Sequence, residues 1–228
     1  FQCDTIVGAM NGNLWQRTSA AMAGAAHTVL RRGVDLMLPP RCVLCSVDEG
    51  DAPLVHGSFC PSCFADLVPN AAPTCRKCAM PVPVGTRGDC PHCRGKRFQF
   101  HWAIRAGIYE GTLREALLVA KNLTGEPVAA AMGKWLAEAV REHLGDAAEP
   151  PIDLVACVPA YWLRRLARGS NSAAVIALAL AAQLRLPAAM DLLVCRRNIE
   201  KQSTLAISQR RVNVRGAFRV SWGYDIRR

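Results

Sequence analysis

The chain has 228 residues, half of them hydrophobic and a fifth charged, which suits one ordinary domain plus a small one and excludes a wholly disordered protein. Its formal net charge is +10, which permits a polyanionic partner such as nucleic acid or a phosphorylated metabolite without demanding one. No run of 18 apolar residues occurs, so no transmembrane helix is expected, and no secretory signal pattern is visible.

Taken in order, residues 1–38 read as an N-terminal extension. A short helix within 26–38 bends at Gly33 and stops at Pro39–Pro40. The chain begins on Phe1 rather than Met, so a missing natural start is expected.

Residues 39–97 follow, and cysteine dominates them. Of 11 Cys, eight fall into four CxxC pairs: Cys42/Cys45, Cys60/Cys63, Cys75/Cys78 and Cys90/Cys93. Two residues between ligands let one tight turn aim two thiolates at one ion, and two such turns complete a tetrahedral sulfur site for zinc. The pairs are separated by 14 and 11 residues, each suited to a short two-stranded ribbon. A disulfide framework is the competing reading, disfavoured by the missing secretory signal. A thioredoxin-like redox motif uses one CxxC rather than four in series. Sequential pairing into two structural zinc sites is favoured over interleaved pairing because local loops cost less closure entropy. Eight thiolates close both sites and leave no open position for catalysis. His56 and His92 read as bystanders, though His92 sits inside the last CxxC and has the chemistry to replace a Cys. The segment looks unable to fold without metal. Cys3, Cys157 and Cys195 are isolated, and the last two lie in apolar runs typical of inert core positions.

Residues 98–228 form the third unit. "FQFHWAIRAGIYEG" (98–111) alternates like a strand. Apolar residues at 113, 116, 117 and 120 predict a helix. A second helix opens at Pro127, buries Val128, Met132, Trp135, Leu136, Ala139 and Val140, and stops at Gly145. "IDLVACVPA" (152–160) is a short apolar run typical of a buried parallel strand. A basic loop, "YWLRRLARGSN", is followed by "SAAVIALALAAQL", apolar nearly all round and read as a buried helix. "MDLLVCRR" is a strand candidate, and "STLAISQRRVNVRGAFRV" reads as a short helix and then an extended stretch at Phe218. Strands alternating with helices imply an α/β domain with a mostly parallel sheet. Ligands bind beyond the carboxyl ends of such strands, where Arg164, Arg165, Arg168 and Gly169 lie; these are candidates for phosphate or pyrophosphate, against the alternative of exposed arginines. Residues 160–228 hold 13 Lys/Arg against 3 Asp/Glu, which equals the whole chain's excess charge.

From "LPPRCVLC" to "NVRGAFRV" the chain resembles the ComF family of double zinc ribbon, phosphoribosyltransferase-like proteins. The four CxxC pairs follow the Leu-Pro-Pro entry. "YEGTLREALLVAKNLTGE" is similar to the family's Tyr-Glu-Gly-x-Leu-Arg segment, with Lys121 at the family's lysine. "DLVACVPAYWLRRLARGSN" is similar to its Val-Pro-Val-Pro and Gly-Phe-Asn segment. "EKQSTLAISQRRVNVRGAFRV" is similar to its Gln-x-x-Leu and Asn-Val-x-Gly-Ala-Phe segment, with Gln202 at the glutamine. The resemblance implies a type I phosphoribosyltransferase fold, cytoplasmic location, and a role in DNA uptake or single-stranded DNA handling in natural competence. It also implies partners such as single-stranded DNA and a competence helicase or other DNA-uptake protein. It places pyrophosphate contacts between Pro159 and Asn171. The chain departs from the family at Cys157, Ser170 and Ser172. It ends in "AFRVSWGYDIRR", with the single Asp225 and no Thr/Gly donor loop. The domain is therefore expected to be an incomplete, truncated phosphoribosyltransferase-like unit. Mg²⁺ and phosphoribosyl pyrophosphate would bind only if a longer chain supplied that loop, and catalytic residues stay unknown.

Overall fold

In a computed structural model, residues 40–48, 53–68, 73–83, 90–145, 152–169 and 171–224 are described, without the side chains of Arg165, Ala167 and Arg168. The chain divides into two units, Phe1–Pro40 and Arg41–Arg228. The helix expected within 26–38, and Cys3 and Asp225, lie outside the described residues.

The helices are α1 (Pro61–Leu67), α2 (Gly111–Val119), α3 (Glu126–Leu144), α4 (Trp162–Arg168), α5 (Ser172–Leu184) and α6 (Ile207–Val214). A 3₁₀ turn spans Gln202–Thr204. Two short strands, β1 (Leu193–Cys195) and β2 (Phe218–Val220), pair antiparallel with Val194 opposite Arg219.

Helix α3 organises the interior. Its first turn carries Pro127, where a missing N–H costs nothing, and Gly145 caps it at φ +51°, a conformation glycine tolerates. Val128, Ala129, Ala131, Met132 and Trp135 enter one apolar cluster with Leu113, Ala116 and Ala120 from and just after α2. Phe59 and Leu67 complete that cluster, both fully buried, so residues from the cysteine-rich segment belong to the same core. Phe64 meets Trp135 edge-on at 5.7 Å. Helix α3 also packs on α5 at very close range, with Val175 and Ile176 of α5 against the same cluster. A Cβ placed on Gly133 would lie 2.4 Å from the Ile176 carbonyl oxygen and 2.7 Å from Ala179 Cβ.

The expected mostly parallel sheet is not formed among the described residues. Its remnant is one parallel bridge, Val155 with Ala188, made by Val155 N–H to Pro187 O (2.9 Å) and Ala189 N–H to Val155 O (2.8 Å). Helices α4 and α5 cross between the two partners, so the local arrangement is a strand–helix–strand crossover reduced to a single pairing. The strand expected at 98–111 is irregular. Its Ala103 N–H is taken by Lys77 O (3.0 Å) rather than by a neighbouring strand. The expected basic loop is helix α4 over most of its length. Helix α5 is less buried than its composition suggests: Ala177 and Ala181 are enclosed, whereas Leu178 is half exposed. One side of α5 meets α3 at Ile176 and Ala179, another packs Ala177 and Ala181 with Val155 and Cys157, and the side bearing Leu178 is left to solvent.

Candidate metal centres

Each cysteine pair sits on a turn whose geometry the sequence enforces. At the first, Cys42 N–H bonds Val47 O (2.8 Å) and Ser46 N–H bonds Cys42 O (2.8 Å). At the third, 33 residues on, Cys75 N–H bonds Met80 O (2.9 Å) and Ala79 N–H bonds Cys75 O (2.8 Å). The residue after each pair is left-handed, Ser46 at φ +60° and Ala79 at φ +58°. The two turns are thus one structural unit used twice. The partner turns differ. Cys60 is the N-cap of α1, accepts the Cys63 N–H at 3.4 Å, and precedes Pro61 at the first helical position. Cys90–Gly95 is instead a run of turns in which Cys93 N–H and Arg94 N–H both bond Cys90 O. The ribbons expected between the pairs are reduced to the isolated bridges Arg41–Asp48, Val55–Phe59 and Thr74–Pro81 among the described residues.

The eight thiols converge sequentially. Cys42, Cys45, Cys60 and Cys63 form one group, and Cys75, Cys78, Cys90 and Cys93 the other, with all sulfurs of a group within 4.8 Å of each other. A tetrahedron with Zn–S bonds of about 2.3 Å has sulfur–sulfur edges of about 3.8 Å. The observed edges Cys45–Cys60 (3.7 Å), Cys75–Cys93 (3.7 Å) and Cys78–Cys90 (3.6 Å) fit it closely. A disulfide needs about 2.05 Å, so the thiols are placed for metal rather than for each other. The two groups are sites for two structural Zn²⁺ ions.

Electrostatics within each group explain why a cation is required. Burial pushes the Cys42 thiol up, but the backbone N–H groups of Cys60, Cys45 and Leu44 outweigh it and bring it to about 6. Burial likewise opposes Cys75, where the N–H groups of Cys78 and Lys77 and the neighbouring thiols win and bring it to about 7. Cys63 and Cys93 move strongly the other way, through burial and the thiols beside them. At Cys45 the Val47 N–H pulls downward, yet the Cys42 thiol and burial leave it raised. One thiolate per group is sustained by backbone donors, and further thiolates repel it unless a divalent ion sits between them. With four sulfurs per ion the tetrahedron is full, which suits scaffolding and leaves no position for a reacting water.

The surroundings of the two groups differ. The first is continuous with the apolar core through Phe59, Phe64 and Leu67. His56 is not a ligand: its ring meets Phe64 edge-on, its Nε2 lies 3.4 Å from Glu138 Oε2, and its carbonyl accepts from Lys134 Nζ at 3.2 Å. Among the described residues, the second group contributes none to that core. Arg76 ties it to the His143 carbonyl at the end of α3 (2.6 Å). His92 is exposed and outside the cysteine group.

Of the phosphate candidates, Arg164 is partly buried and its guanidinium bonds the Ile199 carbonyl, so it serves as a tie between α4 and the chain after β1. The side chains of Arg165 and Arg168 lie outside the described residues. Gly169 ends α4 at φ +66°, where an added Cβ would strike Leu123, two residues from Lys121. Lys121 is exposed, with Nζ 5.8 Å above the Tyr109 ring. Gln202 opens the 3₁₀ turn, and its Nε2 is buried without a hydrogen-bond partner among the described residues. Arg164 thus meets the segment leading to Gln202, and Gly169 meets the turn holding Lys121. Cys157 is buried as its apolar run suggests. Cys195 is only partly so and lines a surface groove that sequence reasoning missed.

Residues 33–94 match the model of the double zinc ribbon domain. No curated protein and no solved structure matches the chain. No helix among the described residues is long and apolar enough to cross a membrane.

Proposed function

We propose that this is a ComF-like protein of cytoplasmic DNA handling, in which a double zinc ribbon at 39–97 precedes a phosphoribosyltransferase-like domain at 98–228. The observation that carries the reading is the order of motifs: two cysteine tetrads lead directly into the Tyr-Glu-Gly, Pro-Ala-Tyr…Arg-Gly-Ser-Asn and Asn-Val-x-Gly-Ala-Phe segments. The basic excess of residues 160–228 supports a polyanionic partner. Under this reading the zinc sites hold the scaffold and the C-terminal part meets single-stranded DNA, with a competence helicase or other uptake protein as a further partner.

A second reading is a phosphoribosyltransferase fragment, favoured by the parallel Val155–Ala188 bridge with the Pro159–Asn171 segment at its carboxyl end. Arg164, Arg165, Arg168 and Gly169 would then face pyrophosphate, with Lys121 and Gln202 as further candidate site residues. Mg²⁺ and phosphoribosyl pyrophosphate would need an acidic pair and a Thr/Gly loop from a longer chain.

Titration with fluorescent oligothymidylate and, separately, with phosphoribosyl pyrophosphate and Mg²⁺ distinguishes the two. Oligothymidylate binding that weakens steeply between low and moderate salt is expected. Donor binding with no DNA affinity at low salt refutes the first reading in favour of the second.

A further inference from the structure

Tyr161, Trp162, Val194, Cys195, Arg196, Arg219 and Trp222 line a groove of about 580 Å³, within the ~300–1,000 Å³ that ligand sites occupy. Three of the chain's eight Trp and Tyr residues gather there. Trp222 is 91% exposed and Trp162 55%, so neither ring is explained by core packing. Tyr161 and Trp162 have ring centroids 5.8 Å apart, and the Arg219 guanidinium stands 5.9 Å over the Trp222 ring. Arg196 and Arg219 are both exposed at the groove.

The walls are fixed rather than loose. Arg219 is held opposite Val194 by β1–β2 pairing, and Arg196 N–H bonds Ala217 O at 2.8 Å. The turn carrying Trp222 is pinned by Ser221 N–H to Leu192 O (2.8 Å) and by Tyr224 hydroxyl to Asp191 (2.5 Å). Arg164 secures α4 to Ile199 on the other side. A surface of exposed aromatic faces interleaved with guanidinium groups, on backbone held by pairing, complements one chemistry: flat unpaired bases joined by phosphates. Duplex DNA offers the phosphates but keeps its base faces stacked inside.

Resting on the DNA-handling reading above, we infer that this groove is a single-stranded DNA site in which bases stack on Trp222 and Trp162 and phosphates meet Arg196 and Arg219. The test uses the full chain with two zincs bound and an oligothymidylate of about 16 nucleotides, the upper site size of a small binding fold. Trp222→Ala and Trp162→Ala are each expected to weaken binding roughly 5- to 150-fold, with Trp222→Phe restoring most of it. The two alanine variants should leave the salt dependence unchanged. Arg196→Gln and Arg219→Gln should each lower the slope of log K against log salt by about 0.7. Zinc content and circular dichroism equal to wild type confirm that each variant folds. Wild-type binding that both tryptophan variants retain overturns the groove and leaves the DNA reading standing. Equal affinity for a duplex of the same length also overturns it. Absence of wild-type binding at low salt overturns the DNA reading and the groove together.

Discussion

Gly133→Ala tests whether the seam between α3 and α5 is as tight as the structure draws it. In an isolated helix the change stabilises by about 1 kcal/mol, because alanine loses less backbone freedom than glycine. Here the new methyl would meet Ile176 O at 2.4 Å and Ala179 Cβ at 2.7 Å. Ile176 O is backbone, so it cannot swing aside. Restoring ordinary contact near 3.4 Å requires the helices to part by about 1 Å. A gap of that size forfeits up to about half of the dispersion energy of every atom pair across the seam. Overpacking of this kind costs about 3 kcal/mol at its upper range, leaving a net loss of about 2 kcal/mol. For a chain of this size that lowers the melting temperature by roughly 4–8 °C. Urea denaturation followed by circular dichroism measures it, with Ala130→Gly on the same helix calibrating the propensity term at about 1 kcal/mol. A Gly133→Ala protein as stable as wild type, or more so, would show that the seam is looser than described and that propensity governs.

Two further outcomes concern the metal sites. Cys60→Ser keeps a good N-cap on α1 while removing one sulfur, so it should halve the zinc content and speed hydrogen exchange along Val128–Val140 of α3; Cys78→Ser should halve the zinc content with little effect there. Equal acceleration of α3 exchange by the two variants refutes the asymmetry. Acid should weaken the metal-free protein in a defined window. Cys42 and Cys75 are held below the ordinary 9.0, at about 6 and about 7, so their thiolates stabilise the fold above pH 9 and that contribution is lost as pH falls through those values. Cys63 and Cys93 are raised, so theirs is lost only as pH climbs above 9. Urea midpoints of chelated protein should therefore fall from pH 9 to pH 6, and a midpoint that rises over that interval contradicts the assignment.

The metal centres were legible in the sequence because CxxC spacing is a local rule: a turn closes over two residues and needs nothing distant. Helices α2 and α3 were legible for the same reason, through 3.6-residue periodicity with Pro127 and Gly145 as punctuation. What failed was non-local. Residues 98–111 have a strand's alternation, but a strand exists only if another lies beside it, and Ala103 bonds Lys77 instead. Nothing in the composition of 42–93 reveals that Phe59 and Leu67 sit in the core of α3, so the segment looked dependent on metal alone. The aromatic groove was invisible because Trp162 and Trp222 are 60 residues apart and come together only as walls of one groove.

The shared core has a consequence for the protein's lifetime. Phe59 and Leu67 are buried beside the first cysteine tetrad, so an ion that binds the folded chain more tightly than the unfolded one shifts the whole equilibrium by mass action. When the ion is scarce, the opened chain exposes a phenylalanine, a leucine and one face of α3 to proteases and to other opened chains. Zinc binding at the first tetrad is thereby coupled to how much of the chain stays folded.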